Sequence, residues 1–242
     1  MNAMIFAAGL GTRLRPLTND RPKALVEVAG KTLLEHNILK LRAAGCRHMV
    51  VNVHHYGEQI ISFLSGHDNF GIDIRVSDER AQLLDTGGGI KHAIPLFADD
   101  APVLVHNVDI ISDIDVRELY QQHLQHKAQL TEPLGATLAV SQRQTSRYLM
   151  FDHRDMLCGW TNVSTGEVKG REGRKSAFAG IHVVDPALYP SLLRQEADAF
   201  SIISFYLSVC DEIALAAHDV TGAAWVDCGK PETLMQAAAL LQ

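Results

Sequence analysis

Met4-Ile5-Phe6-Ala7-Ala8-Gly9-Leu10-Gly11-Thr12-Arg13-Leu14-Arg15-Pro16-Leu17-Thr18, with Arg21-Pro22-Lys23 close behind, is the stretch that decides the fold of this chain. Its first five residues are apolar and short, the pattern of a strand buried on both faces. Gly9 and Gly11 follow at once. A glycine-rich loop after a buried strand turns back without a Cβ clash and presents backbone N–H groups to an anion. Arg13 and Lys23 add fixed positive charge beside those amides. Strand, loop and cations together imply a place to hold a polyphosphate.

Two familiar phosphate loops are excluded by single positions. A dinucleotide fingerprint needs a third glycine three places after the second, and Leu14 stands there. A Walker loop needs a glycine five residues ahead of Gly30-Lys31-Thr32, and Leu25 stands there. Gly30-Lys31 reads instead as a turn into a helix that starts near Thr32.

Outward from this loop, strands and helices alternate through the first half. Strands are expected over 48–53, 72–76 and 101–106, and helices over 33–44, 57–64, 88–96 and 115–126. Asp115 is the expected N-cap of the last of these. Such alternation predicts a largely parallel sheet covered on both faces. The second half changes character. Strands are expected over 135–141, 148–152 and 178–184, with short hairpin segments turning at Gly159 and Gly166. A helix is expected over 204–217, a short strand over 224–226 and a final helix over 231–241, with Pro231 in its first turn.

Composition narrows the function. The chain has 242 residues and a formal charge of −6, with a pI near 6.0. A nucleic-acid-binding surface is expected to be basic, so no nucleic-acid partner is expected. An anionic substrate must be held by local charge and amides. Cys46, Cys158, Cys210 and Cys228 form no C-x-x-C pair, so they read as reduced thiols rather than zinc ligands or a redox motif. No signal peptide is evident, and no apolar run approaches the roughly 18 residues of a membrane span. A cytoplasmic location without a membrane partner is the expectation. The 12 histidines show no metal-ligand spacing, and no Ser-His-Asp order or nucleophile elbow is present.

The pattern G-x-G-T-R-x-R-P-x-T followed by P-K resembles the signature of the sugar-1-phosphate nucleotidyltransferases, and it covers Gly9 to Lys23. That resemblance implies an α/β, Rossmann-like three-layer fold of the glycosyltransferase-A-like kind. A mostly parallel central sheet would carry a small β-rich sugar-binding part. It implies one domain over 1–242, with a nucleotide-binding half at 1–130 and a sugar-phosphate-binding half at 131–242. Gly9, Gly11, Thr12 and Arg13 would hold the triphosphate of an NTP, and Lys23 would bridge the phosphates of both substrates.

An Asp at a strand end beside a phosphate loop is well placed to bind Mg²⁺, a hard cation that bridges phosphate oxygens. Asp109 occupies that place and matches the family's metal-binding Asp, although Val108 stands where the family usually has Gly. Trp225-Val226-Asp227-Cys228-Gly229-Lys230-Pro231 resembles the family's W-x-D-x-G-[ST]-P, with Lys230 as the departure. Asp227 is then the second Mg²⁺ ligand. Leu84-Asp85-Thr86-Gly87-Gly88-Gly89-Ile90 resembles the segment that holds the nucleobase through backbone groups, chiefly at Gly88. Asn107 and Gly180 are the expected sugar contacts. Lys169, Arg171, Arg174 and Lys175 are further candidates for the sugar phosphate, in a basic run that otherwise reads as a solvated loop.

By this resemblance the partners are an NTP and a sugar 1-phosphate, with Mg²⁺ as cofactor and a monomer or small homo-oligomer as the assembly. The L-D-T-G-G-G-I segment and the F-A-G-I-H-V strand look most like the uridylyltransferases acting on N-acetylmuramic acid 1-phosphate. Mannose- and heptose-1-phosphate guanylyltransferases are rivals. A nucleotide-sugar sensor without turnover is the alternative of another class, opposed by Arg13, Lys23, Asp109 and Asp227 standing together. A dinucleotide-dependent oxidoreductase is disfavoured by Leu14 and by the absence of an acidic ribose ligand over 52–56.

Overall fold

The computed structural model describes residues 1–241. The chain runs β1 (Asn2–Phe6), β2 (Glu27–Val28), β3 (Lys31–Thr32), α1 (Leu33–Ala43), β4 (His48–Val53), α2 (Gly57–Gly66), β5 (Asp73–Asp78), α3 (Asp85–Ala93) and β6 (Val103–Asn107). Then come β7 (Ile110–Ser112), α4 (Val116–Gln129), β8 (Leu134–Ser141), β9 (Arg147–Phe151), β10 (Leu157–Asn162), β11 (Glu167–Gly170) and β12 (Arg174–Val184). The last elements are α5 (Tyr189–Leu193), α6 (Ile202–Val209), β13 (Ala214–Asp219), β14 (Trp225–Asp227) and α7 (Pro231–Leu240).

The main sheet follows the order β5-β4-β1-β6-β12-β8-β13. β5, β4, β1 and β6 are mutually parallel. β12 runs antiparallel to both β6 and β8, and β13 is parallel to β8. Only β12 is therefore reversed, and the expected mostly parallel sheet is found. β9, β10 and β11 form an antiparallel extension attached at Arg174–Ser176 of β12. This is the β-rich addition read from the second half.

Alternate residues of β1 face opposite layers. Ala3 and Ile5 pack with Leu34, Ile38 and Leu41 of α1, Ile60 of α2 and Leu119 of α4. Met4 packs in a second cluster with Ile90 of α3, Leu192 of α5, and Phe205 and Tyr206 of α6. A strand apolar on both sides thus becomes the middle layer of three. Each fully buried Leu or Ile contributes roughly 1.5–3 kcal/mol relative to exposure. α1 is set by its ends. Thr32 Oγ1 accepts from Glu35 N at 3.1 Å at the start, and Cys46 N donates to Leu41 O at 3.0 Å past the end. Asp115 caps α4 by accepting from Arg117 N and Glu118 N, as expected.

Three expected elements need correction. The helix expected over 204–217 stops at Val209, and Ala214–Asp219 is a strand. Alanine favours helix locally, but this run is small enough to lie buried against β8, and sheet pairing overrides the propensity. Gly159 is not a turn. It lies within β10 where the register with β9 shifts, whereas Gly166 does turn. α3 begins at Asp85, so its glycines sit inside the helix rather than ahead of it.

Two buried histidines are expected to make the fold acid-sensitive. Burial pushes His106 down to about 4 and His182 down to about 3. An unfolded histidine titrates near 6.5, so below that pH the unfolded chain takes up protons that the folded chain refuses. The stability contribution is whole above pH 6.5 and declines as pH falls toward 4, by up to about 1.4 kcal/mol per pH unit for each histidine. Neither ring nitrogen of His182 has a hydrogen-bond partner. His182→Leu is expected to flatten the loss of thermal midpoint between pH 7 and pH 5. An unchanged pH slope in a thermal melt would remove His182 as a cause.

Candidate active site

β1, β4 and β6 end at one level, because Phe6 pairs with Asn52 on one side and Asn107 on the other. The strand order changes direction at β1, with β4 and β5 on one side and β6 on the other, and ligands bind at the carboxyl edge of such a switch point. Two cavities occupy it. One, of about 360 Å³, is lined by Gly9, Lys23, Asn52, Glu79, Thr86 and Asp109 among others. The other, of about 350 Å³, is lined by Asp109, Arg147, Trp160, Gly180, Trp225 and Asp227 among others. Asn107 and Asp109 line both.

The glycine-rich loop is tied down at its base and open at its tip. Asn52 Oδ1 accepts from Ala7 N at 2.7 Å and Ala8 N at 3.3 Å. Asn52 Nδ2 donates to Glu79 Oε1 at 2.8 Å, and Leu84 N donates to Glu79 Oε2 at 3.2 Å. Glu79 is only 2% exposed, and burial pushes its carboxyl above the usual range. Gly11 O accepts from Leu14 N and from Thr18 Oγ1, both at 2.9 Å, which curls Thr12–Leu14 into one turn. Among the described residues, the N–H groups of Gly9, Leu10 and Gly11 have no acceptor. Bare amides of this kind bind anions.

Beyond the loop, Lys23 is 8% exposed and its Nζ is ion-paired with Asp109 Oδ2. Asp109 and Asp227 are far apart in sequence and are joined by a small ribbon. β7 pairs antiparallel with β14, setting Asp227 opposite Ile110. Cys228 N donates to Asp109 O at 2.7 Å, and Asp113 Oδ1 accepts from Ala224 N at 2.8 Å. Asp227 Oδ1 is buried and has no partner. Among the described residues no group of three or more His, Cys, Asp or Glu side chains could hold a metal by itself. Mg²⁺ is usually held by one or two carboxylates together with substrate phosphates, and this pair of carboxylates with one orphaned oxygen fits that pattern. Burial pushes the Cys228 thiol up to about 12, so no thiolate competes at neutral pH.

Arg13 reaches the same ribbon. A Cβ added at Gly229 would stand 2.5 Å from Arg13 Nη2 and 2.6 Å from Asp227 Oδ1. Gly229→Ala is therefore expected to displace both groups and lower kcat by on the order of 10–10²-fold, since misplacement of about 1 Å has that scale of effect. Steady-state kinetics beside a thermal melt checks it, and full activity would separate Arg13 and Asp227 from the chemistry. Gly180 has φ +75°, and a Cβ there would stand 2.9 Å from Asn107 Nδ2. That close approach, which only glycine allows, lets the Asn107 amide lie against β12.

The structure thus brings together Gly9, Lys23, Asn107, Asp109, Gly180 and Asp227 around the paired cavities, with Gly11, Thr12 and Arg13 on the adjoining loop. It does not bring Gly88 there. Gly87 N and Gly88 N donate to Phe200 O at 2.8 and 3.3 Å, and a Cβ on Gly88 would run into Asp198 O. These glycines admit the 198–200 segment against α3 instead of leaving amides bare. Nor do the candidates of the basic run line either cavity. Lys169 pairs with Glu167, Arg171 with Asp211 and Arg174 with Asp155. No histidine lines either cavity. The reading from sequence missed Asn52 and Glu79 on one side, and Arg143, Arg147, Trp160 and Trp225 on the other. Asn52 had a signal, as the one amide in the apolar run His48-Met49-Val50-Val51-Asn52-Val53.

The chain is similar to several known proteins. An N-acetylmuramate alpha-1-phosphate uridylyltransferase of Caulobacter vibrioides is 54% identical over 111 residues, covering 45% of this chain and 46% of that protein. The mannose-1-phosphate guanylyltransferase catalytic subunit beta of Drosophila pseudoobscura pseudoobscura is 30% identical over 238 residues, covering 96% of this chain and 60% of that protein. The matches thus span about half the length of these curated relatives. The crystal structure of HddC from Yersinia pseudotuberculosis complexed with GMP-PN shares the fold, with a TM-score of 0.76 at 22% identity over 100% of this chain and 99% of that one. The nucleotidyl transferase family matches residues 2–157, more than half of the sequence, and the chain belongs to that family.

Proposed function

We propose that the chain transfers a nucleotidyl group from an NTP to a sugar 1-phosphate, giving an NDP-sugar and pyrophosphate. The observation that carries this reading is the pair of cavities meeting at Asn107 and Asp109, with Lys23 lining one and Asp227 the other. One cavity would take the nucleotide and the other the sugar phosphate, so that the two phosphates meet there. A phosphate oxygen of the sugar phosphate attacks the α-phosphorus, and the bond from that phosphorus to the bridging oxygen of pyrophosphate breaks. The nucleophile is already an anion, so no general base is required. Arg13, Lys23 and the bare loop amides hold the triphosphate and neutralise the leaving group. Mg²⁺, held by Asp109 and Asp227, would supply charge neutralisation across both phosphates.

UTP and N-acetylmuramic acid 1-phosphate are the favoured substrates, supported by 54% and 43% identity to two relatives with that named activity. An NTP-consuming reaction makes the cytoplasm the favoured location. GTP is the second reading for the nucleotide, favoured by the exposed carboxylate of Asp85 in the nucleotide-side lining, because a carboxylate can accept from both N–H groups on guanine's edge. Pyrophosphate release, measured with four NTPs against a panel of sugar 1-phosphates in Mg²⁺, tests the reading. Release with one pair is expected. Silence across the panel from folded protein that still binds an NTP would favour a sensor.

A further inference from the structure

The sugar-side cavity holds two guanidiniums as well as two carboxylates. Its acidic lining is Asp109, already paired with Lys23, and Asp227. Arg143 and Arg147 line it as well. Among the described residues, neither guanidinium makes a hydrogen bond or an ion pair, whereas Arg154, Arg171 and Arg174 on the neighbouring strands and loops each have a carboxylate partner.

The two unpaired arginines sit on a segment that is held in place. Gln142 N donates to Thr221 Oγ1 at 3.0 Å, and Gln142 Nε2 donates to Ser176 Oγ at 3.2 Å. Thr145 N donates to the Tyr148 hydroxyl at 3.0 Å, and Val163 N donates to Ser146 O at 2.8 Å. The Arg143 guanidinium lies 4.3 Å from the centroid of the Trp225 ring. That stacking fixes its plane without neutralising its charge. The remainder of the lining mixes polar Asn107, Gln144 and Thr145 with apolar or aromatic residues, including Leu149, Trp160, Phe178 and Ile203, and both arginines are exposed at its mouth.

A sugar 1-phosphate has one phosphate, and in the proposed reaction that group must lie at Asp109, Asp227 and Lys23. Two further guanidiniums in the same cavity therefore call for a second anion on the sugar. We propose that Arg143 and Arg147 form a carboxylate-reading site that selects a sugar 1-phosphate with an acidic substituent on its ring. This rests on the nucleotidyl-transfer reading and adds the group by which the sugar is chosen. A lactyl ether carboxylate has this chemistry, and the planar guanidinium fork matches a carboxylate in two parallel hydrogen bonds.

The test compares N-acetylmuramic acid 1-phosphate with N-acetylglucosamine 1-phosphate, which differ only in the lactyl ether. The wild-type chain is expected to favour the acidic sugar in kcat/KM by about 10–10²-fold, the scale of a charge-assisted hydrogen-bonded pair. In Arg147→Met and Arg143→Met that ratio is expected to collapse toward one, chiefly through KM for the acidic sugar. Equal losses on both sugars would overturn the proposal, because the guanidiniums would then be reading the phosphate that both share. A wild-type chain that prefers neither sugar would overturn it too. If neither sugar is turned over with any NTP, the nucleotidyl-transfer reading fails instead. Calorimetric binding of the two sugar phosphates then decides the carboxylate site by itself, with equal affinities counting against it.

Discussion

Asp109→Asn is expected to lower kcat by on the order of 10³-fold or more, the equivalent of several kcal/mol of transition-state stabilisation. Asp109 lines both cavities, carries the ion pair to Lys23, and is bonded through its backbone to the residue after Asp227. Asparagine keeps the shape and an oxygen for Lys23 but removes the charge that a divalent cation needs. The thermal midpoint should move little, since the side chain volume and the β7–β14 ribbon are retained. Turnover close to wild type would remove Asp109 from the metal site. A large fall in thermal midpoint together with lost turnover would make its role structural.

Lys23→Ala should lower kcat by roughly 10²–10³-fold, the scale for losing one preorganised group that stabilises developing charge. The buried position of Lys23 is built by its neighbours. A Cβ at Gly11 would stand 2.9 Å from Lys23 Cβ, so the loop closes directly over the lysine stem. Lys23→Arg is not expected to restore the rate, because a planar fork is larger and differently shaped from an ammonium in so tight a site. The loss should fall on kcat more than on KM, since charge on the leaving pyrophosphate grows toward the transition state. A loss confined to KM for the NTP would make Lys23 a ground-state binding group.

Part of this was legible in the residues themselves. The apolar run 4–8 followed by glycines is local information, and so are the alternation of strands with helices and the Asp115 cap. The meeting of Asp109 with Asp227 was expected only by resemblance. Its physical cause, the pairing of two three-residue strands, is too short to leave a periodic signal. The same holds for Arg143 and Arg147, which reach the site through a connection between strands with no motif of its own. Gly88 was misread for a related reason. Glycine tells that a close neighbour is present, but the sequence does not say whether that neighbour is a ligand or, as here, the carbonyl of Asp198. The strand at Ala214–Asp219 was hidden because its alanines favour a helix until β8 lies beside them.

Phosphorus-31 NMR of one reaction mixture tests the central claim most directly: the protein, Mg²⁺, UTP and N-acetylmuramic acid 1-phosphate at neutral pH. The expected result is loss of the triphosphate and sugar-phosphate signals, with growth of a pyrophosphate singlet and a pair of coupled diphosphate doublets. The result that would contradict the account is growth of orthophosphate with the sugar phosphate untouched, because cleavage would then have occurred away from the α-phosphorus.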